Sequence, residues 1–466
     1  GTGAETWNPR FTFHGFQYVE VSGLSKAPSA DTMRAVAISS ATPEVGTLET
    51  GNAMLNQLVS NAWWTQKMNF IDVPTDCPQR DERLGWTGDA QAYIRTAASY
   101  SDVQAFFTKW LVSLDDDQRE DGQYPKVAPV LKGLDDGGPA WSEAGVICPM
   151  TIYEVYGDKE LLRRHYPQMK RYVDFLVKRG KPDLLPPDNY HCYGDWLSIN
   201  AETPHDVIYM AYFAGSAEMV ARAAEVLGEA VDAAHYRDLH QRIRAAFQRA
   251  YVKPDGRVEG NTQCSYVLAL VFDLLDGAAR DQAAQHLVAD IEARGGHLST
   301  GFVGTRDLMH VLSKIGRDDV AYRLLLNDTF PSWGFTIKHG ATSIWERWDG
   351  WTPERGFQDP GMNSFAHYAY GAVVGWMFQH VGGIRETSAG FGTVRIEPKW
   401  NKEVGHARTS FESVRGLIHT SWRAMGDRYQ LTVVIPPNVR AEVVMPDGKT
   451  YEVGSGTWTY TCPLPQ

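Results

Sequence analysis

Cysteine is scarce in this chain. Five thiols occur in 466 residues, at Cys77, Cys148, Cys192, Cys264 and Cys462. They are odd in number, scattered and never spaced as CxxC, so neither a disulfide framework nor a zinc site is expected. Free thiols fit a reducing compartment. Long apolar runs are missing too: none approaches the roughly 20 residues of a membrane helix, so no membrane partner is expected. There is no Lys/Arg-rich block and no basic helix. The net charge is −11, which argues against a nucleic-acid partner. The motifs of phosphate, metal and acyl-transfer chemistry are also absent: no GxxxxGKS/T, no HExxH, no GxGxxG after a strand, no GxSxG elbow. No cofactor and no metal is therefore expected. The opening GTGAETWNPR shows no charged stretch followed by an apolar one, so no signal peptide is visible. Cytoplasmic and periplasmic locations both stay open.

What is present is a globular composition, with 43% hydrophobic and 22% charged residues. The length exceeds what one core usually holds, unless the fold is a large barrel. Tryptophan is the unusual component: 15 Trp stand beside 21 Tyr. Many fall in loop-like stretches, at Trp86, Trp141, Trp196, Trp333, Trp348 and Trp351. Indoles there serve a core or a flat apolar platform for a ligand.

The pattern along the chain changes twice. Residues 1–45 alternate, and 11–24 and 33–40 read as strands of a partial β-sandwich segment. So few strands cannot bury a core of their own. From 46 to 385 the periodicity is helical, with candidate helices at 47–67, 89–100, 102–120, 141–156, 158–179, 204–227, 229–251, 262–275, 278–294, 300–315, 317–328 and 362–381. A junction recurs between them: Ser101-Asp102, Gly157-Asp158, Gly228-Glu229, Gly316-Arg317-Asp318. Glycine stops one helix and an acid suits the positive start of the next. These are tight helical hairpins. The long connections, 68–88, 121–140, 180–203, 252–261 and 329–361, fall at the other end of the pairs and are rich in Gly, Pro and Trp. Six such hairpins around an axis make an (α/α)6 barrel. An α-solenoid is the rival arrangement, but its repeat is more regular. Residues 386–466 alternate again, with Gly-Asp, Pro-Pro and Asp-Gly turns, and read as an antiparallel β-sandwich packed on the barrel.

Four of the inferred loops carry acids beside Trp. The first is DVPTDCPQRDERLGWTGDAQ (72–91), too broken by Pro and Gly to be one helix. Its charges fit two readings equally: an ion-pair network pinning a loop, or carboxylates facing a ligand. The second is HGATSIWERWDGW (339–351), where Glu346 lies between Trp345 and Trp348. Indoles desolvate a carboxylate and raise its pKa towards acid–base use; the competing reading is an ion pair with Arg347. HCYGDWLSIN (191–200) offers Asp195 and Trp196, and GGPAWSEAG (137–145) offers Trp141 and Glu143. Asp115, Asp116 and Asp117 read as a solvated face. His14, His165, His235 and His310 are isolated. Acid pairs plus aromatic platforms point to glycoside chemistry, which uses two carboxyl groups.

At these residues the chain resembles the α-L-rhamnosidases of glycoside hydrolase family 78. The likeness is strongest at DVPTDCPQRDERLGWTGDAQ and continues through PAWSEAG, YGDWL, SIWERWDGW and MNSFAHYAYGAVVGWM. ETWNPRFTFHGFQYVEV resembles the strand segment before that family's catalytic domain. The resemblance implies an (α/α)6 barrel with flanking β-sandwiches that hydrolyses terminal α-L-rhamnosyl bonds with inversion. It implies Glu82 as general acid and Glu346 as general base. Asp76, Arg80, Asp89 and His367 resemble sugar contacts. Trp86, Trp141, Trp196 and Trp333 resemble aromatic walls. The two catalytic carboxyls are then expected about 6.5–9.5 Å apart. The partner expected is a small-molecule or oligosaccharide rhamnoside. In that family the β-rich region before the barrel is a complete domain, so a further N-terminal portion of the same protein, or a second copy, is also open as partner. Another (α/α)6 glycosidase or lyase, and an inactive sugar-binding relative, are the alternatives.

Overall fold

The computed structural model describes residues 3–16 and 18–464. The expected helices form, mostly within a few residues of their expected ends: α1 Ala53–Asn69, α2 Thr87–Tyr100, α3 Gln104–Asp116, α4 Ala144–Tyr156, α5 Lys159–Arg179, α6 His205–Leu227, α7 Ala230–Tyr251, α8 Gln263–Val271, α9 Gly277–Ala293, α10 Phe302–Lys314, α11 Asp318–Leu326. A closing helical run covers residues 369–381 and passes from 3-10 through α to π turns. The hairpin junctions work as their residues suggest. Gly157 and Gly228 stop α4 and α6 in the left-handed conformation, at φ 71° and 86°. Asp158 caps α5 by accepting from the Leu161 N–H at 2.9 Å.

Helices α4 and α8 are buried on nearly every side, whereas α5 buries one stripe that includes Leu162, His165, Met169, Tyr172, Val173 and Leu176. An all-round apolar helix belongs inside and a striped one outside. The contacts agree. Helix α2 packs on α4, α4 on α6, α6 on α8, α8 on α10, α10 on the closing run, and the closing run back on α2. The inner ring closes, which a solenoid would not do. Helix α1 packs on the closing run, so the first and last helices make the sixth hairpin. The connections 68–88, 180–203 and 329–361 meet at one end of the ring, its mouth.

The strands are β1 Gly46–Thr50, β2 Phe70–Ile71, β3 Val73–Pro74, β4 Trp351–Thr352, β5 Gly356–Phe357, β6 Ile384–Glu386, β7 Thr393–Ile396, β8 His406–Ser413, β9 Gly416–Met425, β10 Arg428–Ile435, β11 Arg440–Val444, β12 Thr450–Val453 and β13 Gly456–Pro463. Two sheets, ordered β1-β8-β9-β10-β13 and β12-β11-β7-β6, form the C-terminal sandwich. It is antiparallel except for the β11–β7 pair, which is parallel. The small hairpins β2–β3 and β4–β5 flank the two acid-rich loops at the mouth.

Three expectations need correction. The helix expected from 47 starts at 53, because 46–50 alternate in burial and pair with β8. Residues 333–338, read as loop, form a short helix, α12 (Trp333–Lys338), capped by Ser332. The strands expected over 11–24 and 33–40 do not form among the described residues, and Gln17 lies outside them. No neighbouring strand is offered to them there, so Phe11, Tyr18 and Val36 stay exposed.

Candidate active site

The loop from β3 to α2 owes its shape to Asp76. Its backbone N–H donates to the Leu84 carbonyl at 3.0 Å, and its Oδ1 accepts from the Leu84 N–H at 3.0 Å. This double tie folds residues 76–84 back on themselves. The fold brings Arg80 and Glu82 beside the Glu346 loop. Arg80 then holds three carboxylates. Its Nη1 donates to Glu346 Oε2 at 3.0 Å and its Nη2 to Glu346 Oε1 at 3.4 Å. Nη2 also donates to Asp76 Oδ2 at 3.3 Å. Arg80 Nε lies 2.8 Å from Glu82 Oε2, an ionic contact without hydrogen-bond alignment. Glu82 and Glu346 thus stand on different edges of one guanidinium. Glu82 is 28% exposed at the mouth, and Glu346 only 3%.

Asp89, in the first turn of α2, pairs with His367 Nε2 at 2.9 Å. Burial alone would lower the His367 pKa, but Asp89, then Glu346 and Asp76, raise it to about 9. The His367 Nδ1 is buried without a protein partner. Burial pushes the Asp76 carboxyl up to about 6, against the pull of His367.

An aromatic wall faces these charges. Tyr193 is its hub, with ring centroids 4.7 Å from Trp141, 5.5 Å from Trp196 and 5.9 Å from Trp86. The indole N–H groups of Trp86 and Trp141 are buried without protein partners. Gly88 seats the Trp141 ring: a Cβ there would come within 2.4 Å of it.

One cavity of about 400 Å³, partly open to solvent, collects the expected residues Asp76, Arg80, Glu82, Trp86, Asp89, Trp141, Trp196, Glu346 and His367. Trp333 is the exception and is a correction. It is 2% exposed, donates its indole N–H to the Tyr370 carbonyl at 2.9 Å and packs edge-on against Trp348. As the first residue of α12 it belongs to the core beneath the site. The cavity also takes Tyr193, Phe302 and Met362, which sequence reasoning missed. Tyr193 stands between the Gly and Cys of a stretch already singled out. Phe302 opens α10 after a connection with no acid and no Trp, so nothing flagged it.

Several acids do structural work instead. Asp195 accepts from the N–H groups of Gly301 and Gly304 at 2.8 and 2.9 Å and so fixes the start of α10. Arg347 pairs with Asp349 at 3.0 Å, not with Glu346. Asp115, expected on a solvated face, contacts His165 Nδ1 at 2.5 Å and accepts from the Tyr124 hydroxyl at 3.0 Å. Arg83 pairs with Asp81 at 3.3 Å and donates to the Phe13 carbonyl, so part of the first loop's charge does pin backbone. Asp76, Cys77 and Glu82 bring one potential ligand atom each within 4.8 Å of one another. Burial holds the Cys77 thiol well above its usual range.

Fold and site together define a closed six-hairpin helical barrel with a carboxylate and indole pocket at its mouth. Comparisons with known proteins narrow this. The model of the bacterial α-L-rhamnosidase six-hairpin glycosidase domain matches residues 43–381, that of the C-terminal domain residues 383–458, and that of the concanavalin-like domain residues 1–39. The chain belongs to the bacterial α-L-rhamnosidase family. It is 46% identical to an α-L-rhamnosidase of Streptomyces avermitilis, over 99% of this chain and 46% of that protein. It is 39% identical to one of Formosa agariphila, over 95% of this chain and 49% of that protein. The chain thus spans about half the length of these curated relatives. The crystal structure of the Streptomyces avermitilis enzyme complexed with L-rhamnose superimposes with a TM-score of 0.94, covering 98% of this chain and 46% of that one. The native enzyme of Aspergillus terreus, 34% identical, superimposes at 0.93 over 99% of this chain and 55% of that one.

Proposed function

We propose that the chain hydrolyses terminal α-L-rhamnosyl bonds, with inversion, using Glu82 as general acid and Glu346 as general base. The observation that carries this is Arg80, which holds both carboxyls on different edges of one guanidinium, one at the mouth and one buried. An acid at the mouth can protonate a leaving oxygen and recover its proton from solvent. A base deep in the pocket can activate a water on the far face of the sugar. The expected separation in that arrangement is about 6.5–9.5 Å. Asp76, Arg80, Asp89 and His367 offer donors and acceptors for the ring hydroxyls. The wall of Trp86, Trp141, Tyr193 and Trp196 gives an apolar seat to the C6 methyl of a 6-deoxy sugar. The family and the rhamnose-bound relative support this substrate class.

The test is hydrolysis of p-nitrophenyl α-L-rhamnopyranoside. Glu82→Gln and Glu346→Gln should each lower kcat by roughly 10²–10⁴-fold while leaving the fold intact. A variant that keeps wild-type kcat removes its residue from the mechanism.

A further inference from the structure

Glu143 was singled out in the sequence, yet it does not line the sugar cavity. It is 1% exposed and faces a small separate cavity behind the wall, with Tyr172, Tyr209 and Arg179. Its backbone closes the turn 138–143 and precedes the first residue of α4. Trp141 stands two residues before it and does line the sugar cavity.

The turn is held at several points. Gln91 of α2 donates to the Ala140 carbonyl. The Ser142 hydroxyl donates to the Tyr124 carbonyl at 2.8 Å. Glu143 Oε1 accepts from the Tyr172 hydroxyl at 2.5 Å, which ties the turn to α5. Ala140, inside the turn, has a φ of 66°. A left-handed non-glycine residue persists only where its surroundings impose it.

We propose that Glu143 is a positioning residue for the sugar site, acting through Trp141. A rigid wall needs its rings fixed, and small displacements of a binding group are costly. The hydrogen bond to Tyr172 fixes the C-terminal side of the turn, while Gln91 fixes its centre and Gly88 seats the indole. The carboxyl is retained at a cost. Burial pushes it up to about 7, against the pull of Tyr172 and of the backbone of Glu143 and Ala140. A leucine would be cheaper in a purely structural place. The proposal rests on the sugar-site reading above.

The test is calorimetric binding of L-rhamnose by the wild type, Glu143→Gln, Glu143→Leu, Trp141→Ala and the Glu143→Leu/Trp141→Ala pair. Glu143→Leu should weaken binding about tenfold. Glu143→Gln keeps an acceptor for Tyr172 and should restore affinity to within about threefold. In the Trp141→Ala background, Glu143→Leu should add nothing, because its effect runs through that ring. Tyr172→Phe removes only the hydroxyl and should weaken binding in the same way, which serves where Glu143→Leu does not fold. Unchanged affinity in Glu143→Leu or Tyr172→Phe, or a loss that adds fully to that of Trp141→Ala, overturns the proposal alone. A wild type that binds no L-rhamnose overturns the sugar-site reading, and the proposal with it.

Discussion

Asp76 carries a cost that its position explains. Burial raises its carboxyl from 3.8 to about 6. A group raised on folding stabilises most below its unfolded pKa, and that contribution is lost as pH rises through the folded value. The window here runs from about pH 3.8 to 6. Above it, the buried charge costs on the order of 3 kcal/mol. Asn mimics the neutral form and can still accept from the Leu84 N–H. Asp76→Asn should therefore match or exceed wild-type stability at pH 8 in urea titrations, gain little at pH 4, and bind rhamnose more weakly. Lower stability than wild type at pH 8 would contradict the burial argument. In the loop holding Asp76, Arg80, Glu82 and Asp89 the charges alone fitted pinning and ligand contact equally, and it was the resemblance that singled out these four, which line one cavity. Single residues were not legible where only packing decides. Trp86 and Trp333 look alike in sequence, both beside Gly in a loop-like stretch. One walls the cavity and the other fills the core, because Ser332 caps a helix that turns the second indole inward.

At the scale of elements, the start of α2 and the Trp141 turn are one packed unit. Gly88 leaves room for an indole that a methyl would strike. Gly88→Ala should raise KM about tenfold, since the ring must shift out of the wall. Its helix propensity should improve at the same time, so a variant with normal KM and higher stability would show that the seat is slack. Element types followed from periodicity, and capping residues marked the hairpin ends. The segment 46–50 misled because five residues carry too little periodicity to separate a strand from a helix start; its pairing with β8 is a contact across more than 350 residues of chain. Asp195 was grouped with functional acids because sequence cannot show that two backbone N–H groups use up its carboxylate.

Across the whole molecule, barrel and sandwich are laced together. Strand β1 leaves the sandwich and leads into α1. Trp422 of β9 donates its indole N–H to the Val381 carbonyl at 2.7 Å, and Tyr322 of α11 donates its hydroxyl to the Lys399 carbonyl at 2.5 Å. Arg95 of α2 pairs with Glu386 of β6. The two parts should unfold in a single calorimetric transition; two well-separated transitions would contradict this coupling. Barrel closure was legible from the uneven, polar long connections, although the sheet order and the parallel β11–β7 pair were not, since register is set by partners distant in sequence.

If Glu82 and Glu346 act from opposite faces of the sugar, as proposed, NMR of the first rhamnose released from p-nitrophenyl α-L-rhamnopyranoside should show the β-anomer first, with the α-anomer appearing later by mutarotation. Initial release of the α-anomer would show a covalent, retaining route and would contradict the proposal.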